Sequence, residues 1–494
     1  MASGHASAGA VLTAMLEDRL FSTQEQKVVI VRSNDESLTS FELLDPVSLD
    51  GAGSAAPASL TRIGTNNRLR RFLRTTVARF ALASPDAGVR LAAVKDMVRT
   101  LDESTVELLK TRASSETDPA VRREIETGLA LAALDSADPA DRLRAVTTLS
   151  SRYSTEVRNR LASLVEPAPD GSFAETDEAV RVAATDAIES IDSTRQLYSG
   201  VETLFFGLSL GSVLVLAATG LAITFGVMGV INMAHGEMMM LGAYTTYVVQ
   251  MLMPNAIGWS IPLAVPAAFV VAGLAGILLE RTVIRFLYGR PLETLLATFG
   301  VSLVLQQLVR SVFSANNRAV ETPAWMSGTL QLNEALGITF NRLYIIGFTL
   351  VVFSILLLVL RRTRLGLEIR AVAQNRGMAR SMGIRSEWVD AATFGLGSGI
   401  AGVAGVALSQ LTNVGPNLGQ AYIIDSFMVV VFGGVGNLWG TFIGGMSLGL
   451  VNKLLEPYAG AVLGKIFVLV ALILFIQRRP RGLFPQTGRA AEGT

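Results

Sequence analysis

From Thr203 onward the chain is built of long apolar runs separated by short polar interruptions: Leu204–Gly226, Glu237–Met253, Ile261–Glu280, Leu292–Phe313, Leu343–Leu360, Trp388–Leu411, Ile423–Val435, Leu438–Val451 and Val462–Ile476. A helix needs about 20 residues to cross the hydrocarbon core of a bilayer. The pattern therefore predicts about nine membrane crossings, the shorter seventh and eighth runs forming a broken or tilted pair. The fold class expected is mainly α, a polytopic helical membrane protein over 200–485.

Upstream of residue 200 the rhythm changes. Four phrases recur, Asp86–Arg90 (DAGVR), Asp118–Arg122 (DPAVR), Asp138–Arg142 (DPADR) and Asp177–Arg181 (DEAVR), each followed by Ala/Leu-rich helical text. Aspartate before a proline or a short turn caps the free N–H groups of a starting helix. Paired helices that stack bury faces no single pair can bury alone. Residues 86–195 are thus expected to form a helical-repeat domain resembling HEAT repeats, with uneven spacings of 32, 20 and 39. Within 1–85, Lys27–Arg32 and Leu38–Leu44 flank SNDES and predict a β-hairpin.

Charge sorts the two parts. Residues 1–200 hold 23 Lys and Arg against 29 Asp and Glu, a net of −6; residues 201–494 hold 19 against 12, a net of +7. Seven arginines fall between Arg361 and Arg385, three between Arg281 and Arg290, and three between Arg478 and Arg481. Basic loops stay in the cytoplasm, and all three regions agree with nine alternating crossings. The N-terminal domain is then extracytoplasmic or periplasmic, and the tail 486–494 cytoplasmic. The opening MASGHASAGAVLTAMLEDRL lacks a basic stretch followed by an apolar core, so a mature or trimmed form is expected.

No cysteine is present, and the two histidines are His5 and His235, so no disulfide framework and no protein-only catalytic or metal cluster is expected. Gly397–Gly402 (GSGIAG) matches a dinucleotide pattern in spelling but lies in an apolar run without a preceding strand. Gly460–Lys465 (GAVLGK) is one residue short of a phosphate loop and is followed by Ile466. The chain is read as carrying no ATP site, no metal and no enzymatic activity of its own, and nothing points to nucleic acid.

Polar residues inside the apolar runs are the candidate chemistry. Val230–Tyr244 (VINMAHGEMMMLGAY) places Asn232, His235, Gly236 and Glu237 where the first run turns into the second. An ionisable group at membrane depth is a functional candidate. Glu237 also suits the cap of the second helix, with His235 as a hydrogen-bonding partner, and that structural role is favoured. Thr294, Thr298, Ser302, Gln306 and Arg310 recur every fourth residue and stay near one helix face, lining a polar path or bonding neighbouring helices. Asp425, beside Tyr422 and Ser426, either orients an N–H of a passing solute or caps its helix. Glycine pairs at Gly395/Gly399, Gly440/Gly444 and Gly445/Gly449 are read as helix packing.

Gly366–Ile384 (GLEIRAVAQNRGMARSMGI) reads as an amphipathic, arginine-studded helix between two runs. This phrase resembles the coupling loop of the branched-chain amino-acid (Liv-like) permease family of ABC importers. The likeness implies an ATPase-docking role for 363–385, through Gly366, Arg370, Ala371, Asn375, Arg376, Arg380 and Gly383. Phe225–Val227 with Val230–Tyr244, and the glycine-rich Phe427–Gly449, are similar to further stretches of that family. Asn413–Gly440 (NVGPNLGQAYIIDSFMVVVFGGVGNLWG) and the large N-terminal domain resemble the urea-type permease subunit. The resemblance implies a second homologous permease subunit, two ATPase subunits that bind ATP and Mg, and an extracytoplasmic substrate-binding protein, around a multi-pass subunit embedded in the lipid of the inner membrane. Urea, small and neutral, calls for hydroxyls, amides and carbonyls such as those of Thr298, Ser302 and Gln306. A branched-chain amino acid permease and an ATP-independent urea channel or carrier are the alternatives.

Overall fold

The computed structural model describes residues 7–33, 40–99, 101–167 and 173–484; His5 and the tail 486–494 lie outside them. The chain divides into two compact units, residues 1–196 and 197–494.

In the first unit, strands β1 (Leu20–Thr23), β2 (Val28–Val31), β3 (Phe41–Leu44), β4 (Gly51–Ala55) and β5 (Leu60–Arg62) form an antiparallel sheet ordered β4-β3-β2-β1-β5. The segments read as a hairpin are its β2 and β3. Side chains alternate across a strand: Phe21, Val29, Val31, Phe41 and Leu43 pack on one face, while Leu20 and Ile30 meet α1 (Ala8–Leu16) on the other.

The helices that follow are α2 (Asn67–Leu82), α3 (Ala87–Arg99), α4 (Glu103–Ala113), α5 (Pro119–Ala133), α6 (Pro139–Leu149), α7 (Thr155–Val165) and the start of α8 (Glu178–Met228). Each D-x-x-x-R phrase begins one of them. The aspartate side chain accepts backbone N–H bonds, and the arginine four residues on donates back to carbonyls just before the helix: Arg90 to Ser84 and Pro85, Arg122 to Glu116, Arg142 to Ser136 and Ala137, Arg181 to Glu175 and Thr176.

The uneven spacing resolves into two copies of a larger unit. Buried Glu116 takes Arg90 at 3.0 and 2.9 Å and the N–H of Asp118; Glu175 takes Arg142 at 2.7 and 2.7 Å and the N–H of Asp177. Asp138 and Arg142 stand 52 residues after Asp86 and Arg90, and Glu175 and Asp177 stand 59 after Glu116 and Asp118. The Arg90 guanidinium, ahead of backbone N–H and Arg112 contacts, holds the Glu116 carboxyl down at about 2. Its folded value is depressed, so its contribution to stability is full above the ordinary glutamate range and is lost as pH falls towards 2. Glu116→Gln leaves Arg90 buried without its counter-charge and is expected to destabilise this unit by about 3 kcal/mol. Thermal unfolding of the full chain at pH 7 and pH 3 checks both points, the gap between wild type and variant narrowing at the lower pH without closing.

The second unit holds the rest of α8, then α9 (His235–Leu252), α10 (Ile257–Thr282), α11 (Pro291–Phe313), α12 (Phe340–Arg362), α13 (Arg364–Gln374), α14 (Arg376–Ser381), α15 (Ser386–Ser409), α16 (Leu418–Gly433) and α17 (Leu438–Arg478); a hairpin, β6 (Thr329–Asn333) and β7 (Leu336–Thr339), precedes α12. All nine apolar runs fall on helices. Among the described residues six helices, α8, α10, α11, α12, α15 and α17, are long and apolar enough to cross a membrane. α16 is shorter, and α17 carries the last two runs on either side of a kink at Gly460, whose φ is 75°.

Burial separates centre from rim. The apolar stretch of α15 is 89% buried and that of α12 only 22%, although α12 is the more apolar of the two; an apolar surface turned outward suits lipid, which is as apolar as the side chains themselves. Glycine sets the closeness at the centre. A methyl group on Gly405 would lie 2.0 Å from the Met239 carbonyl oxygen, and one on Gly242 2.0 Å from that of Gly402, so α15 and α9 touch backbone to backbone.

Candidate functional site

Glu237 is the centre of a buried polar cluster. α8 ends at Met228, Gly229 adopts φ +63°, and the chain runs non-helically to Ala234 before α9 begins. Non-helical backbone at membrane depth survives where protein surrounds it. Asn232 and His235 are fully buried, and Glu237 is 1% exposed. Asn232 Oδ1 accepts from the N–H of Ala234 at 3.0 Å.

The four-residue stripe of α11 faces this break. Thr298 Oγ1 accepts from the N–H of Met233 at 3.1 Å; Ser302 Oγ and Gln306 Nε2 both donate to Glu237 Oε1, at 2.9 and 2.8 Å. Thr294 bonds carbonyls of Leu287 and Arg290, and Arg310 reaches Asn417 at 2.7 Å. Ser302 is the middle residue of α11, roughly 16 Å along it from Pro291, so the carboxylate sits at mid-helix depth.

Glu237 stands where a helix N-terminus favours a carboxylate but makes no capping hydrogen bond among the described residues. It occupies the first turn of α9, whose N-cap Ala234 has no side-chain bond, and its carboxylate crosses to a different helix. His235 faces the other way: Nε2 lies 2.9 Å from the Ala217 carbonyl oxygen of α8. A carbonyl only accepts, so Nε2 carries the proton and Nδ1 presents a lone pair. Residues two apart on a helix do not share a face, which is why these two residues serve separate contacts. Glu237 Oε2, Asn232 Nδ2 and His235 Nδ1 are buried and have no hydrogen-bond partner among the described residues.

Asp425 shares no hydrogen bond with this cluster. It lies in the second turn of α16 and accepts from Lys465 Nζ of α17 at 2.9 Å, so it is an ion-pair partner and not a helix cap; the sequence shows Lys465 only as the end of GAVLGK and gives no sign of this pairing.

The segment read as one amphipathic helix is two. Asn375 breaks it in an extended conformation (φ −155°, ψ 99°) and caps α14 by accepting from the N–H of Met378, as Thr363 caps α13 through Gly366. Ile369, Val372 and Ala379 pack inward with Val389, Leu360 and Val227. Gly366 is wedged against Leu360, whose carbonyl oxygen accepts from Arg370. Leu367, Met378 and Met382 are 61, 62 and 76% exposed; Arg370, Arg380 and Gly383 are exposed and Ala371 half-buried. Arg380 donates to Ser386 at 2.7 Å, and Arg376 pairs with Asp390 of α15. These exposed apolar side chains stand among arginines, outside the apolar runs.

Comparison with known proteins bears on this geometry. The family model described as "Branched-chain amino acid transport system / permease component" matches residues 203–476. A high-affinity branched-chain amino acid transport system permease protein of Pseudomonas aeruginosa is 31% identical over 298 residues, 58% of this chain and 96% of the relative. Its counterpart in Escherichia coli K12 is 31% identical over 294 residues, 57% of this chain and 94% of the relative. A ribose import permease protein of Escherichia coli K12 is 25% identical over 289 residues, 56% of this chain and 85% of the relative. No solved structure matches.

Proposed function

The chain belongs to the family of branched-chain amino acid transport permease components, and on that premise we propose that it is the membrane-spanning permease subunit of an ATP-driven (ABC) importer. A homologous second permease, two ATPase subunits carrying ATP and Mg, and an extracytoplasmic binding protein complete the assembly. The chain crosses the inner membrane nine times, counting α9, α16 and each half of α17; the HEAT-like unit lies outside and the C-terminus inside. The observation that carries the reading beyond the family match is the paired helices α13 and α14, with one face packed on the bundle and Leu367, Met378 and Met382 turned outward.

The first substrate reading is a branched-chain amino acid, which the relatives' names support. The second is urea or a short amide. Ser302, Gln306 and Asn232 around Glu237 offer hydroxyl and amide groups, while Arg310, a cation on the same stripe, is engaged by Asn417. A zwitterion needs a partner for its carboxylate; a neutral amide does not. The N-terminal unit, which precedes the family match, also fits this reading.

Solute passing between α9 and α11 meets Glu237 Oε2 and Asn232 Nδ2, an acceptor and a donor without a hydrogen-bond partner among the described residues. Charge reversal at Arg370 and Arg380, both exposed, leaves the Arg376–Asp390 pair intact and tests the importer reading in vesicles holding the whole assembly. ATP-dependent uptake is expected to fall to background, and an ATP-independent carrier would keep its flux.

A further inference from the structure

A second buried charge cluster lies where α10, the α10–α11 connection, α14 and α15 meet. Glu280 and Asp390 have side chains only 2% exposed. Arg376 of α14 pairs with Asp390 and lies over the Tyr288 ring, 4.5 Å from its centroid. Arg281 lies over the Trp388 ring at 4.7 Å and stands 3.6 Å from Glu280 without a hydrogen bond. Four groups here are buried and incompletely satisfied: Glu280 Oε2, Arg281 Nη2, Tyr288 Oη and Asp390 Oδ1.

Buried charges are costly unless paired and hydrogen-bonded, and a buried group left unsatisfied calls for a physical explanation; a second arrangement that satisfies these groups supplies one. Two carboxylates, Glu280 and Asp390, flank the site, and one cation, Arg376, reaches it from the loop read as docking the ATPase. The helices that carry the carboxylates have little slack. A methyl on Gly276 of α10 would lie 2.4 Å from Ser398 Cβ of α15, and one on Gly402 of α15 2.5 Å from the Ala268 carbonyl oxygen of α10. α15 in turn meets α9 backbone to backbone at Gly402 and Gly405. α9 carries Glu237. A continuous, close-packed route thus joins Arg376 to the mid-helix carboxylate.

We propose that Glu280, Tyr288 and Asp390 are the positioning residues that receive the ATPase stroke, with Arg376 exchanging its partner between Asp390 and Glu280 as α14 is displaced. The exchange keeps Arg376 paired in each state, with Asp390 in one and with Glu280, beside Arg281, in the other, and moves α10 and α15 relative to the loop. This rests on the importer reading above.

The test uses the complete importer in vesicles, with ATP hydrolysis and solute uptake measured side by side for wild type, Asp390→Asn, Glu280→Gln and Tyr288→Phe. The first two keep shape and remove a charge; the third removes only a hydroxyl. The expected result is unchanged assembly and hydrolysis, with solute moved per ATP reduced at least tenfold in Asp390→Asn and Glu280→Gln and less in Tyr288→Phe. The double variant Arg376→Asp/Asp390→Arg, which restores opposite charges, should recover part of the ratio. An unchanged ratio in both charge variants overturns the inference alone, as does a parallel loss of assembly and uptake, which signifies only structural support. Wild-type uptake that ignores ATP overturns the importer reading and the inference together.

Discussion

Gly405→Ala is expected to destabilise the membrane unit by about 3 kcal/mol, at the upper end of what overpacking costs. The added methyl falls 2.0 Å from the Met239 carbonyl oxygen and 2.8 Å from the Ala243 nitrogen. Both are backbone atoms of a buried helix, so no side chain can rotate aside. The control is Gly347→Ala in α12, where nothing lies within 4 Å of the new carbon; it should raise stability by about 0.5–1 kcal/mol, because alanine holds a helix better than glycine. Thermal unfolding of the purified full chain in detergent reads both. Equal midpoints for the two variants would contradict the backbone contact between α15 and α9.

Replacing Glu237 should separate transport from stability. Glu237→Gln keeps an oxygen to accept from Ser302 and Gln306, so the fold is expected to survive, while uptake falls roughly tenfold, about 1.4 kcal/mol at the barrier, as an unpaired acceptor on the solute route is lost. Glu237→Leu leaves Ser302 Oγ and Gln306 Nε2 buried with no acceptor, which costs about 2–5 kcal/mol of stability. Uptake and unfolding midpoint measured on the same preparations distinguish the cases. Full uptake by the glutamine variant would reduce Glu237 to a packing contact between α9 and α11.

The apolar rhythm revealed the membrane helices because a run long enough to span has little else it can be; every run from Leu204 to Ile476 lies on a helix. It could not reveal that Gly460, at φ 75° and ψ 164°, breaks the helical path between the last two runs, since a single glycine beside an apolar run has the same appearance whether the helix continues or breaks. The D-x-x-x-R phrases revealed helix starts because capping is local in sequence. The pairing of Arg90 with Glu116 and Arg142 with Glu175 spans 26 and 33 residues, and there the phrase carries no address.

At the candidate site the four-residue period places Thr298, Ser302 and Gln306 on one face, being a property of the helix itself. What that face meets depends on how α9 enters the bundle. For that reason a capping role for Glu237 looked sufficient from sequence, whereas its carboxylate bonds across to α11. Glu280 and Asp390 went unnoticed although each is a carboxylate inside an apolar run, the same signal that drew attention to Glu237. Arg376 was noticed for its charge, but its partner lies 14 residues on, across the turn into α15.

The most direct measurement is uptake of labelled leucine and labelled urea, each competed by the other, into vesicles holding this chain with its partner permease, ATPases and binding protein, with and without ATP. An ATP-driven importer of the branched-chain type accumulates leucine only when ATP is present and is unaffected by urea. Accumulation of urea under the same requirement keeps the importer and moves the substrate to the second reading. Flux of either solute that proceeds equally without ATP, or no accumulation of either, contradicts the importer.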